Sequence, residues 1–211
     1  LHGNDAVEPA FCVTPEGTRV FLSGPRETPV IEAIEVLRKA VGTAALPVGE
    51  LSLLPGVLSR LESAGQTLVT AESCTGGGIA EAITAIPGAS AVFRGGAVVY
   101  SNELKTRLLG VPEELLARHG AVSAECAEAM VRGAAERLEA DCAIAVTGIA
   151  GPGGGTPEKP VGLVYIGVLA GDRVRIEECH FRGDRRAVRE RTRGRALLIL
   201  RELLTPEMPN R

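Results

Sequence analysis

The chain has 211 residues, 45% of them hydrophobic, and a formal net charge of −3. That is enough for one ample core plus an appendage, too apolar for a disordered tail, and too weakly charged to bind a polyanion through its global field. Aromatic residues make up 3% and Trp is absent, so the core must be built from Ala, Val, Ile and Leu, as in helix-on-sheet folds.

In chain order, residues 1–17 are polar and marked by Pro and Gly, and read as a loose lead-in. "TRVFLS" at 18–23 reads as a short strand. Residues 30–41 carry apolar side chains at 30, 31, 34, 37 and 41, a helical period. This piece is too small to bury a core alone, so 1–50 is expected to be a partial small domain or arm that ends in the linker "VGTAALPVGE". Position 1 is Leu, so the natural N-terminus is expected to lie further upstream.

The main domain is expected over 51–211. Residues 51–64 read as helix, "TLVTA" (67–71) as a buried strand, 77–86 as helix, and "AVFRGGAVVY" (91–100) as a strand with a bulge at its glycine pair. A short helix follows Ser101 and ends at Gly110. Pro112 suits the first turn of the next helix, and Ser123 caps another. "CAIAVTG" (142–148) is a continuous apolar strand, two more strands follow at 161–170 and 173–181, and a helix closes the chain at 184–204. Apolar strands alternating with helices predict an α/β fold: a mixed, mostly parallel sheet with helices on both faces in three layers, plus the small N-terminal α/β remnant. Ligands in such sheets bind beyond the carboxyl ends of the strands. Two loops fall there, 72–78 and 147–156.

Five cysteines cannot all pair, and no CxxC occurs. With His2, His119 and His180 scattered, neither a disulfide scaffold nor a metal site is expected, and a reducing, cytoplasmic setting fits. No signal peptide and no apolar run long enough to span a membrane is present.

Four stretches could carry chemistry. In "ESCTGGG" (72–78), Ser73, Cys74 and Thr75 precede Gly76, Gly77 and Gly78 at a strand-to-helix turn. Helix-start amides there would point outward unpaired, suited to a phosphate or an oxyanion. An ordinary N-cap explains the same residues. In "YSNELK" (100–105), Lys105 could serve Ser73 as a base if burial leaves its amine neutral. Ser101 is the rival nucleophile, better explained as a helix cap. Cys74 is a third, without a histidine partner. The loop "VTGIAGPGGGTPEKP" (146–160) is longer than a plain connection needs, which marks Thr147, Gly151 and Gly153. Finally, seven arginines lie between 182 and 195. Those at the helix start, Arg185 and Arg189 among them, are not placed to favour the helix dipole and so point to an anionic ligand. Arg191, Arg193 and Arg195 read as a solvated basic face. No aromatics interleave with the arginines, so nucleic acid is not expected as a partner.

"LVTAESCTGGGIAEAIT", "FRGGAVVYSNELKTRLLGV", "GAVSAECAEAM", "AVTGIAGPGGGTPEKPVGLVYIGV" and "FRGDRRAVRERT", in this order, are similar to the C-terminal domain of the competence/damage-inducible CinA family over about residues 52–204. The resemblance implies nicotinamide mononucleotide deamidase activity, with Ser73 as nucleophile, Lys105 as base, and Tyr100, Thr147 and Arg185 in support. Substrate contacts are expected from Thr75, Gly76, Gly77, Gly151, Gly153, Arg185 and Arg189. No cofactor is expected, and a homo-oligomer such as a dimer is. It also implies that residues 18–50 are the end of an intermediate domain that follows a larger first domain in full-length relatives. The alternative is a catalytically silent nucleotide-binding module linked to competence or the DNA damage response.

Overall fold

A computed structural model describes residues 7–14, 17–42 and 53–205. The chain divides into two compact units, Leu1–Ser52 and Leu53–Arg211.

The first unit is a hairpin and a helix. Strand β1 (Glu8–Thr14) pairs antiparallel with β2 (Gly17–Ser23), Glu8 opposite Ser23 and Thr14 opposite Gly17. Helix α1 (Glu27–Val41) follows. Residues 8–14 are therefore strand, not loose lead-in. "AFCVT" has strand propensity, but Pro9 and Gly17 hide it, and the pairing with β2 supplies the missing order. The helix also starts three residues earlier than its apolar period, since Glu27 sits in its first turn, where a negative charge is favourable. Only Val7 and Ala33 are buried apolar residues among those described in this unit. Val7, Phe11, Val20, Leu22, Val36 and Leu37 line a groove of ≈ 560 Å³ between hairpin and helix.

The second unit is a five-stranded sheet between helical layers. Its helices are α2 (Leu53–Ser63), α3 (Gly78–Thr84), α4 (Asn102–Leu109), α5 (Glu113–His119), α6 (Ala124–Arg137) and α7 (Arg185–Leu204). Its strands are β3 (Leu68–Glu72), β4 (Phe93–Val98), β5 (Cys142–Gly148), β6 (Leu163–Ala170) and β7 (Arg173–His180), in spatial order β4-β3-β5-β6-β7. β3 is parallel to β4 and β5, β6 is antiparallel to β5, and β7 is antiparallel to β6. Four strands thus point one way and β6 the other, which is the mixed, mostly parallel sheet the alternation predicts. Helix α6 packs over β5 and β6 with α4 and α5 beside it, while α7 packs over β6 with α2 and α3 beside it.

Burial explains the strand sequences. β3 is covered on both faces and every residue of it is buried, hence the near-continuous apolar run. Edge strand β4 alternates instead. A register shift opposite Leu68 and Val69 places a bulge at its start, and Thr70 fills the space that a side chain at Gly96 would need. Leu68, Val69, Ile144, Val146, Ile166 and Val168 are fully buried, each stabilising the fold by about 1.5–3 kcal/mol relative to exposure. The final helix buries Val188, Thr192, Ala196, Leu197, Ile199 and Leu200 along one face.

The strand directions fix where chemistry can happen. The carboxyl ends of β3, β4, β5 and β7 lie at one edge of the sheet, so four connections gather there: residues 73–77, 99–101, 149–162 and 181–184.

Candidate active site

Ser73 leaves β3 directly. Its amide donates to the Val146 carbonyl of β5 (3.1 Å), which anchors it to the neighbouring strand. The chain then turns through Gly76 (φ +58°) and Gly77 (φ +91°), left-handed conformations that glycine adopts without strain. The Gly76 amide donates to the Ser73 carbonyl (3.1 Å) and the Gly78 amide to the Thr75 carbonyl (3.2 Å). Ser73 is 8% exposed.

The helix-start amides differ from expectation. The Glu72 carboxylate, buried at the end of β3, accepts from the Ile79 amide (3.0 and 3.2 Å) and the Ala80 amide (2.8 Å). The N-terminus of α3 is thus satisfied by the protein's own carboxylate and is not open to the phosphate that its sequence suggests. Glu72 stands six residues before the helix, outside any local capping spacing, so only the folded turn brings it there. Among the described residues, the amides of Cys74, Thr75 and Gly77 donate to no backbone carbonyl, which leaves the oxyanion role to the turn itself rather than to the helix. Replacing Glu72 with alanine strands one buried and one half-buried donor, and the main unit should lose about 3 kcal/mol of stability by denaturant unfolding. Glu72→Gln, which keeps one acceptor, should lose less. An unchanged midpoint in Glu72→Ala contradicts the cap.

Lys105 comes from the other side. Ser101 caps α4 by accepting from the Leu104 amide (3.2 Å), its expected structural task. One turn on, Lys105 points inward and is 1% exposed, the largest fully buried side chain of the described residues. Its Nζ donates to the Val99 carbonyl (2.9 Å) and to Ser73 Oγ (3.3 Å). Among the described residues no carboxylate lies within ion-pair distance of it. Burial pulls its pKa below the ordinary 10.5, with nearby Cys126 and Cys74 opposing weakly. Cys74 is also buried, and desolvation, aided by the charge of Glu72, pushes its thiol up to about 12. It is therefore a thiol at neutral pH and a poor nucleophile.

The other marked residues divide. Tyr100 is exposed, and its hydroxyl accepts from Arg185 Nη2 (3.1 Å), while Arg185 Nη1 donates to the Gly151 carbonyl (2.9 Å). One arginine thus joins the β4 and β5 connections from the start of α7, where Asp184 caps the helix by accepting from the Ala187 amide (2.8 Å). Gly153 has open space around it. Thr147 is buried, and its hydroxyl donates to the Ala121 carbonyl (2.6 Å). Its proton is committed to the 119–122 loop and not to Lys105. Lys159 reinforces that loop, donating to the carbonyls of His119 (2.8 Å) and Val122 (2.7 Å). Arg189 donates to the Thr75 carbonyl from Nη2 (2.7 Å) and Nε (3.2 Å). Thr75 Oγ1 is buried and, among the described residues, has no hydrogen-bond partner.

The basic face is only partly solvated. Arg195 forms a two-pronged pair with Glu177 (2.5 and 2.7 Å), which lowers that carboxylate's pKa. Arg186 pairs with Glu190 (2.7 Å), and Arg191 donates to the Arg182 carbonyl. Arg185 and Arg189 meet no carboxylate among the described residues. They are the cluster's two members at the site.

Among the described residues no group of His, Cys, Asp and Glu could hold a metal ion, and no helix is long and apolar enough to cross a membrane. All four buried cysteines are unpaired, as is the exposed Cys12.

Comparison with known proteins identifies the family and the fold. The family model described as "CinA C-terminal domain" matches residues 51–204. A CinA-like protein of Citrifermentans bemidjiense is 46% identical over 200 residues, 94% of this chain and 48% of its own length. One from Parasynechococcus marenigrum is 56% identical over 156 residues, 72% of this chain and 37% of its own length. The chain spans less than half the length of these curated relatives. Among solved structures, the competence/damage inducible protein CihA from Agrobacterium tumefaciens superposes with a TM-score of 0.71 at 44% identity, covering 72% of this chain and 94% of that one. A CinA superfamily protein from Klebsiella pneumoniae gives 0.69 at 38% identity, covering 72% and 95%.

Proposed function

Since the chain belongs to the CinA family through its C-terminal domain, we propose that it hydrolyses the carboxamide of nicotinamide mononucleotide to nicotinate mononucleotide and ammonia, with Ser73 as nucleophile and Lys105 as base. The observation that carries this reading is the buried Lys105 amine, without a counter-ion among the described residues, 3.3 Å from a serine hydroxyl.

A neutral amine can donate one N–H to the Val99 carbonyl and turn its lone pair toward Ser73. It takes the Oγ proton as Oγ bonds to the carboxamide carbon. The negative charge that develops on the carboxamide oxygen is met by those amides of the 74–77 turn that donate to no backbone carbonyl. The resulting ammonium gives its proton to the departing nitrogen, the C–N bond breaks, and ammonia leaves behind an ester on Ser73. The same amine then deprotonates water, whose oxygen attacks the ester carbon; the bond to Ser73 Oγ breaks, the ammonium returns its proton to that oxygen, and the acid leaves as the carboxylate. The sequence as written needs no cofactor.

Binding follows the unneutralised charge. Arg185, exposed and held by Gly151 and Tyr100, is suited to the phosphate. The unpartnered Thr75 hydroxyl supports a polar substrate contact beside the nucleophile.

The test is ammonia release by the purified chain from the mononucleotide and from plain nicotinamide. The reading predicts turnover of the first and little of the second. Tight binding of the mononucleotide without ammonia supports the silent nucleotide-binding role instead.

A further inference from the structure

We propose that Arg189 is a positioning residue for the nucleophile turn and not a phosphate ligand. The turn from Ser73 to Gly78 ends in three glycines in a row, two of them left-handed, so its second half has no side chains with which to pack itself. Unrestrained glycine loses the most conformational freedom on ordering. Two groups from outside supply the restraint. Glu72 fixes the far end by holding the Ile79 and Ala80 amides. Arg189, 114 residues away on the second turn of α7, fixes the middle by donating from Nε and Nη2 to the Thr75 carbonyl.

That carbonyl belongs to the Thr75–Gly76 peptide, whose other end donates to the Ser73 carbonyl. Holding its plane therefore sets the orientation of Ser73 relative to Lys105. The guanidinium reaches close over the glycines: a Cβ added at Gly76 or Gly78 would sit 3.8 or 3.9 Å from Nη2. Two of its donors are thus spent on backbone, whereas Arg185 beside the long loop is exposed. A charge engaged in this way acts through geometry. Misplacing a nucleophile by a fraction of an ångström lowers turnover far more than binding.

The test uses the full chain with Arg189→Met, which keeps the length of the side chain, and Arg189→Lys, which keeps its charge but cannot form two parallel bonds. It rests on the proposed reaction for its kinetic arm. There, Arg189→Met should lower kcat by about 100-fold with KM within about threefold, and Arg189→Lys should fall between it and wild type. The preference for nicotinamide mononucleotide over nicotinamide riboside, the same nucleoside without phosphate, should not change. A raised KM with loss of that preference overturns the proposal in favour of phosphate binding.

The second arm needs no substrate: labelling of Ser73 by a fluorophosphonate, followed by mass spectrometry. Labelling should slow by at least about tenfold in Arg189→Met with partial recovery in Arg189→Lys; an unchanged rate overturns the proposal. Wild-type protein that labels at Ser73 but releases no ammonia defeats the substrate assignment alone, and the labelling arm still decides the role of Arg189. Wild-type Ser73 that neither labels nor turns over defeats both.

Discussion

Replacing Ser73 with alanine should lower ammonia release from nicotinamide mononucleotide by at least about a thousandfold, the scale on which losing a covalent nucleophile is felt. The change removes only the Oγ atom. The Ser73 amide still reaches the Val146 carbonyl and its own carbonyl still accepts from Gly76, so the turn should keep its shape and the melting temperature should hardly move. Loss of activity with a native melting curve therefore isolates the chemistry. The neighbouring thiol supplies the control. Cys74, pushed up to about 12 by burial, offers almost no thiolate at neutral pH, and Cys74→Ala should keep most of the activity. The opposite pattern, an active Ser73→Ala beside an inactive Cys74→Ala, would transfer the nucleophile's role to the thiol.

Lys105→Met should be as damaging, again by about a thousandfold, because the base that activates Ser73 and the acid that releases ammonia are one group. Methionine fills nearly the same buried volume, so a folded, inactive protein is the expected outcome. The pH dependence provides a second readout. Only the unprotonated amine can accept the serine proton, so kcat/KM in the wild type should rise with pH and level off above the folded pKa of Lys105, which burial places below 10.5. Stability has its own sign. Between that folded value and 10.5 the unfolded chain binds more protons than the folded one, so stability climbs with pH across that window. Lys105→Met removes the proton site in both states and should flatten the climb. A wild type whose kcat/KM does not rise with pH up to the Lys105 midpoint, or a Lys105→Met variant that retains activity, contradicts the assignment of the base.

The sheet was readable because its signals are local. β3 and β5 are covered on both faces and so carry unbroken apolar runs, while Gly110 and Ser123 mark helix ends by their own chemistry. β1 was not readable, since a strand seven residues long beside prolines declares itself only through its partner β2. At the site, Ser73 and Lys105 could be paired from the sequence because one directly follows β3 and the other lies one turn into the helix after β4, and the connections of these parallel strands gather at one edge. What remained hidden is long-range. Nothing in the spacing around Glu72 announces that it will cap a helix six residues on. The hydroxyl of Thr147 looks free at the end of its strand, and it is the 119–122 loop, from another part of the chain, that takes its proton. The arginines of α7 are uniform in sequence, but the facing surfaces divide them: Glu177 on β7 draws Arg195 outward, the Thr75 carbonyl draws Arg189 to the nucleophile turn, and Gly151 with Tyr100 draws Arg185 to the long loop.

The central claim is an uncharged amine beside a serine hydroxyl in the interior of the protein. Nitrogen-15 NMR of selectively labelled lysine, assigned through Lys105→Met, follows the protonation of that amine directly. A midpoint below the ordinary 10.5, with the other lysines titrating near it, is the predicted result. A Lys105 signal that stays protonated to 10.5 or beyond would contradict it.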